Sequence, residues 1–157
     1  MRKNLERNVT VKMGINEETY QFFVKMVPDI EKEYQLFGGI DIEKVRARQE
    51  SVKDNAAWGF FFPVLGDDPA GLAVAYSGEH MFNSTLVTTS QLFFVRPKYR
   101  MTRTAGILFN AIMQWSKNRG IDRVIIGVTS GAPKPADRFF QGCNGRLLGG
   151  NYYFSLV

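Results

Sequence analysis

Residues 92–120 read LFFVRPKYRMTRTAGILFNAIMQWSKNRG. The first four residues are apolar, as at the end of a buried strand, and Pro97 stops the run. From residue 101 the pattern changes. Leu108, Ala111, Ile112 and Trp115 fall on one helical stripe, Thr102 or Thr104 is placed to cap its start, and Gly120 closes its end, which predicts a helix over 101–119. A strand that runs directly into a helix leaves backbone N–H groups unbonded at the helix start, where a phosphate can bind. Arg96, Lys98, Arg100 and Arg103 crowd that turn. Like charges so close repel unless an anion sits among them or solvent screens them, so the turn is either an anion site or a solvated basic loop.

The flanks read as an α/β chain. Upstream, WGFFFPVLG (58–66) and GLAVAYSGEHMF (71–82) form a hairpin about a turn at Asp67, Asp68, Pro69 and Ala70. A turn at Asn83 and Ser84 leads into a third antiparallel strand, TLVTTSQLFFV (85–95). Near the start, Val9, Val11 and Met13 alternate with polar residues as a strand with one buried face, ended by Gly14. Asn16 caps a helix with Glu17 and Glu18 in its first turn and Tyr20, Phe23, Val24 and Val27 as its stripe. Pro28 and Asp29 are expected to break it, with a second short helix over Ile30 to Phe37 before Gly38 and Gly39 turn the chain. A charged helix opening at Asp41 has only Ile42, Val45 and Val52 to bury, so it belongs on the surface. Downstream come a buried strand (Arg123 to Val128), a short helix (Pro135 to Cys143) and a final strand, LLGGNYYFSLV (147–157), bent at Gly149 and Gly150.

A length of 157 residues with 45% hydrophobic residues predicts one domain, 1–157, with a single well-formed core. No apolar run approaches the roughly 20 residues a membrane span needs, and the N-terminal MRKNLERNVTVKMG has no apolar stretch behind its charges, so a cytoplasmic protein is expected. Cys143 is the only cysteine and His80 the only histidine, which excludes an internal disulfide, a thiolate cluster and the usual zinc sites; no metal is expected. Residues 1–95 hold 10 basic and 13 acidic side chains, whereas 96–157 hold 10 basic and 2 acidic. The basic half should hold an anion, either a polyanion or a small phosphorylated cofactor.

The segment ending in Val95, Pro97 and Arg100 resembles the GNAT acyltransferase superfamily, in which a V-x-P strand end leads through R-x-x-G-x-G/A into a helix. The order of elements resembles the family over nearly the whole chain. The fold this implies is a mixed, mostly antiparallel sheet with helices on both faces and a V-shaped opening between its fourth and fifth strands. The resemblance implies acetyl-CoA as co-substrate, with its diphosphate at Arg96, Arg100 and Arg103 and at the amides of Thr102, Arg103, Thr104, Ala105 and Gly106. Its pantetheine arm would lie along the main chain of Phe93, Phe94 and Val95. Aligned on the motif, Ala105 fits its last position, but Arg103 stands where the first glycine belongs. Its guanidinium either folds outward to meet a phosphate or fills the pocket, and Gly106 offers to relax the turn.

A second family motif, N-x-x-A-x-x-x-Y-x-x-x-G-F, aligns with Pro133, Ala136, Phe140 and, one position displaced, Gly145. Its tyrosine, which would protonate the departing thiolate, is here Phe140, so Tyr152 or Tyr153 is the candidate acid, beside a bland reading as strand aromatics. Glu79 and His80 are candidates for the general base, weighed against solvated residues at a strand end. Cys143 reads as an inert thiol, and Ser90 and Gln91 as strand polar residues able to orient substrate. The leading activity is N-acetyl transfer from acetyl-CoA to a small-molecule or protein amine. The rival is a GNAT-fold protein without catalysis, acting as a binding or structural component, of the kind found in GNAT-like proteins of bacteriophages. Nucleic-acid binding is the weakest reading, because no recognised motif accompanies the charge. The aromatic C-terminal stretch is placed to pair across a homodimer or meet a protein partner.

Overall fold

The computed structural model describes residues 8–34, 38–127, 133–149 and 154–156. Six strands, β1 (Val9–Met13), β2 (Trp58–Leu65), β3 (Asp68–Pro69), β4 (Gly71–Glu79), β5 (Leu86–Val95) and β6 (Val124–Ile126), form one sheet. Its order is β1-β2-β4-β5-β6, with β3 paired on β2, and every pairing is antiparallel except β5 with β6. Among the described residues four α-helices accompany the sheet: α1 (Glu17–Glu33), α2 (Ile42–Val52), α3 (Thr104–Lys117) and α4 (Pro133–Gly142). The parallel pair needs a long crossover, and α3 supplies it.

Strand alternation divides the core in two. On one face Phe60, Phe62, Leu72 and Phe94 pack with Phe23, Met26, Val27 and Ile30 of α1 and Val52 of α2. On the other, Phe61, Ala73, Ala75 and Val95 pack with Leu108, Ile112 and Trp115 of α3. Phe61 and Phe62 are both fully buried although adjacent, because each points into a different core. The mixed sheet flanked by helices on both faces is thus as the sequence implied. Gly71 is required by crowding between strands, since a Cβ there would lie 2.4 Å from the Phe94 carbonyl oxygen.

Several local expectations are corrected. The first helix does not break at Pro28 but runs unbroken from Glu17 to Glu33. A capping box starts it, with Asn16 and Thr19 each accepting from the other's backbone N–H at 3.0 Å. Its buried stripe, Tyr20, Phe23, Met26, Val27 and Ile30, continues past the proline. Pro28 itself is exposed, so the carbonyl it leaves without an N–H partner is on the wet side, where water can satisfy it. Met13 is 52% exposed rather than on a buried face. The turn between β2 and β4 is tighter than expected: Gly66, at φ +63°, lets Asp68 and Pro69 pair back on β2. β6 is short and half-buried, and Val128 lies outside the described residues. So do Phe37 and 150–153; residues 147–149 and 154–156 form no strand.

The pairing that positions the site is that of β5. The register on β4 shifts between Val74, opposite Leu92, and Ala75, opposite Ser90, so Gln91 is the extra residue of a bulge. The Ser90 hydroxyl donates to the Leu92 carbonyl at 2.9 Å across it. β6 pairs only with Thr88, Thr89 and Ser90. Beyond the bulge, Leu92–Val95 have no strand on that side among the described residues, and this is the opening the resemblance implied.

Replacing Pro28 by Ala restores one helix hydrogen bond on the exposed side and should stabilise the fold by about 1–3 kcal/mol. Thermal denaturation should show Tm raised by several degrees. A fall in Tm would mean the proline ring supports the helix rather than merely being tolerated.

Candidate active site

Two features adjoin beyond the bulge. The first is the free edge of β5. Arg96 N–H donates to the Ala70 carbonyl at 2.9 Å, and antiparallel alternation then turns the N–H and C=O groups of Phe93 and Val95 away from β4, toward the opening. The Val95 carbonyl accepts from Arg100 Nε at 2.9 Å on that outer side. The second is the start of α3, reached through a 3-10 turn at Pro97–Tyr99. Thr102 Oγ1 donates to the Tyr99 carbonyl at 2.6 Å and accepts from Thr104 N–H at 3.2 Å, holding the turn shut. The amides of Arg103, Ala105 and Gly106 donate to nothing among the described residues. A Cβ built on Gly106 would meet nothing within 4 Å, so the space before the helix is open. Three unbonded amides at the positive end of a helix dipole suit a phosphate.

The basic turn is not the loose cation cluster its composition implies. Arg96, only 11% exposed, donates from Nε to Asp29 at 2.6 Å and from one terminal nitrogen to Asp68 and to the Pro69 carbonyl, each at 3.0 Å. Asp68 also receives Lys25 at 2.8 Å, Lys98 at 2.6 Å and the Tyr99 hydroxyl. Arg100 pairs with Glu33 of α1 and lies 5.9 Å from the Phe94 ring. Three carboxylates from α1 and β3 thus neutralise the cations that the sequence left facing each other. Of the four, Arg103 alone makes no ion pair among the described residues, and its side chain is exposed rather than folded into the turn. Partial burial pushes the Asp68 carboxyl up, but hydrogen bonds from Lys25, Lys98 and Tyr99 and the charge of Arg96 outweigh it and hold it far below the usual carboxylate range. Burial, together with the bond to Asp68, raises the Tyr99 phenol.

The other residues singled out in the sequence are scattered. Phe94 is a core side chain, 1% exposed, whereas the half-buried Phe93 ring meets Phe140 and Phe139 at centroid distances of 5.1 and 6.3 Å. Phe140, where the family pattern has tyrosine, therefore packs α4 against β5, with Phe109 of α3 closing the cluster at 6.3 Å. Glu79 and His80 lie at the far end of the β4–β5 hairpin, both exposed, with His80 Nδ1 accepting from the Phe82 N–H at 3.3 Å. Glu79 sits opposite Leu86, and Phe93 lies seven residues along the strand from Leu86, roughly 20 Å. His80 instead borders a groove of about 1200 Å³ along β6, lined also by Val87, Phe109, Met113, Phe140 and Cys143. Tyr152 and Tyr153 lie outside the described residues. The sequence reading missed the carboxylates: Asp29, Asp68 and Glu33 are far from the turn in the chain, and only the packing of α1 beside β3 brings them to it.

Comparison with known proteins follows the same geometry. Residues 18–144 match the family described as "Acetyltransferase (GNAT) family". No curated protein matches the chain. Among solved structures, an aminoglycoside acetyltransferase from an uncultured soil metagenomic sample, in complex with trehalose, is 13% identical with a TM-score of 0.74, over 98% of this chain and 99% of that one. AAC(6')-Iy, in complex with the bisubstrate analogue CoA-S-monomethyl-acetylneamine, is 17% identical with a TM-score of 0.74, over 96% and 99%. Glucosamine-6-phosphate N-acetyltransferase from Arabidopsis thaliana is 16% identical with a TM-score of 0.67, over 93% and 99%. At these identities the likeness is one of fold. Among the described residues no helix is long and apolar enough to cross a membrane, and no cluster of His, Cys, Asp and Glu is placed to hold a metal.

The Asp68 hub has a pH signature. Because the folded carboxyl ionises at lower pH than the unfolded one, its contribution is complete above the ordinary carboxylate range near pH 4 and is lost as pH falls through the folded value. Asp68→Asn should cost about 2 kcal/mol at pH 7 in urea unfolding, and the gap to the native protein should narrow at pH 3. An equal gap at both pH values would show that the charge of Asp68 contributes nothing.

Proposed function

The chain belongs to the GNAT acetyltransferase family, and from that premise we propose that it moves an acetyl group from acetyl-CoA to a primary amine by direct attack in a ternary complex. The observation that carries this reading is the continuity of two surfaces: the outward main-chain groups of Phe93 and the Val95 N–H run directly into the free amides of Arg103, Ala105 and Gly106, the Val95 carbonyl being taken by Arg100 Nε. An extended arm ending in a diphosphate needs such a pair, strand-like hydrogen bonds for the arm and helix-terminal donors for the phosphates. That the bisubstrate analogue bound by AAC(6')-Iy joins CoA to an acetylated aminoglycoside supports the same class of reaction.

In this reading the residues divide by task. Arg103 closes over the diphosphate from solvent. Arg96 and Arg100 hold the turn on α1 and keep its shape, and Thr102 and Thr104 do so from within. Phe94 anchors β5 in the core while its neighbours present their main chain. The thioester reaches the bulge at Gln91, and the amine approaches from the opening. Its nitrogen lone pair forms the new C–N bond to the carbonyl carbon, the C–S bond breaks, and CoA departs as thiolate. A thiol ionises near pH 8.5 and so leaves without a dedicated acid, which accounts for an aromatic ring at Phe140. The proton lost by the amine passes to water, since Glu79 and His80 stand roughly 15 Å along the sheet from the bulge.

Two measurements test this. Native protein should bind acetyl-CoA in calorimetric titration, Arg103→Ala should weaken binding about tenfold, and Arg103→Gly should be no tighter than Arg103→Ala. No binding by the native protein, with recovery in Arg103→Gly, would mean the guanidinium blocks the site and would favour a protein without catalysis. Thiol release with an alkyl amine should rise about tenfold per pH unit from 7 to 9, tracking the free amine. A plateau beginning near pH 6.5 would instead identify a resident base.

A further inference from the structure

At the rim of the core that α1 and α2 cover, the sheet carries a row of side chains that the transfer reaction does not explain. Trp58 of β2 stands opposite Tyr76 of β4, and Tyr76 stands opposite Thr89 of β5. Directly opposed residues share a face. It is the face opposite α3, because the neighbouring Thr88 bonds to Ser116 of α3 at 2.8 Å. The row begins one residue from Ser90, where β6 makes its last pairing and the opening starts. Tyr76 is 39% exposed, its ring centroid 5.1 Å from that of Trp58, and Thr89 is exposed. Gly78 makes room for this arrangement, since a Cβ there would lie 2.7 Å from the Tyr76 ring.

At the outer end stands Arg48 of α2, exposed, with its guanidinium carbon 5.5 Å from the Trp58 ring centroid. It pairs with no carboxylate among the described residues; Glu50, two positions along the same helix, is taken by Lys53 at 2.7 Å. A guanidinium lying over an aromatic ring keeps its N–H edge free and loses little freedom on binding, which suits it to a planar or tetrahedral oxyanion. No member of the row is acidic, and the protein carries a net charge of +5.

We propose that this row binds the acceptor, and that the acceptor is an amine bearing a carboxylate or phosphate about 10 Å from its nitrogen, with a ring between them. The spacing comes from the sheet: two steps of about 4.8 Å separate β5, beside the thioester, from β2 beneath Arg48. Tyr76 supplies a surface for the intervening ring. A polycation such as an aminoglycoside meets a cation here instead of the carboxylates that would hold it. This assignment rests on the acyl-transfer reading for its orientation but not for its binding chemistry.

The test uses three amines of similar length: tyramine phosphate, 4-(2-aminoethyl)benzoate and tyramine, with kanamycin as the polycation. Thiol release from acetyl-CoA should favour tyramine phosphate over tyramine by at least tenfold in kcat/KM, chiefly through KM. That ratio should fall to about one in Arg48→Ala and below one in Arg48→Glu, and the benzoate shows whether a carboxylate serves as well as a phosphate. In parallel, tyramine phosphate is titrated into native protein and Arg48→Ala without acetyl-CoA. Binding that depends on Arg48 with no thiol release from any amine would sustain the acceptor surface and overturn the transferase reading. Equal turnover of tyramine and tyramine phosphate, a preference for kanamycin, or binding indifferent to Arg48 would overturn the proposal itself. Gly78→Ala, which displaces Tyr76, should raise KM for all three ring amines; unchanged values would remove Tyr76 from the site.

Discussion

A single additional residue in β5 governs the geometry of this protein. Without Gln91, the strand would continue in one register on β4. With it, the register on β4 shifts, the Ser90 hydroxyl satisfies the Leu92 carbonyl across the bulge, and among the described residues β6 pairs only with the three residues before it. The opening, the outward main-chain groups of Phe93 and Val95, and the angle at which the chain enters α3 all follow from that departure. A bulge places an unpaired polar backbone at a site, which an undisturbed sheet would consume in its own ladder.

The turn that follows is held chiefly by charge. Pro97 and Lys98 are exposed, and Tyr99 packs against the core on the α3 face. What fixes it is the convergence of Arg96, Lys98 and Tyr99 on Asp68 and of Arg100 on Glu33. Because α1 and β3 supply the carboxylates, the helix start is registered against the far side of the molecule. Leaving the α3 amides unbonded is tolerable because they remain open to water, whereas the guanidinium of Arg96, nearly buried, must be fully paired.

Much of this architecture was legible in the residues. The aromatic run WGFFFPVLG, the cap at Asn16, the helix opening at Asp41 and the stripe of Leu108, Ile112 and Trp115 each reported a local environment, and local rules read them correctly. Pro28 misled because a rule about backbone bonds carries no information on which side of the helix meets water. The basic turn misled for a different reason. Its charge balance depends on Asp29, Glu33 and Asp68, which are distant in sequence, so the chain shows four cations where the fold shows three ion-paired groups and one free arginine. Glu79 and His80 were chosen for their chemistry, and the sheet places them at the end of the β4–β5 hairpin away from Phe93 and Val95. The Arg48, Trp58 and Tyr76 row went unnoticed because its members come from three elements and share no motif.

The network around Arg96 also bears on how this sequence can drift. Its guanidinium engages two carboxylates and a backbone carbonyl on two separate segments at once, and a lysine, with one point of charge and no planar fork, cannot reproduce that bridge. Loss of Asp29 or Asp68 alone would leave the nearly buried Arg96 with one carboxylate instead of two, and loss of Arg96 alone would leave Asp29 without its ion partner while Asp68 keeps Lys25 and Lys98, so each single step passes through a less stable intermediate. Descendants of this chain should therefore keep or exchange the three residues as a set, leaving a correlated signature in the lineage even where the surrounding turn changes freely.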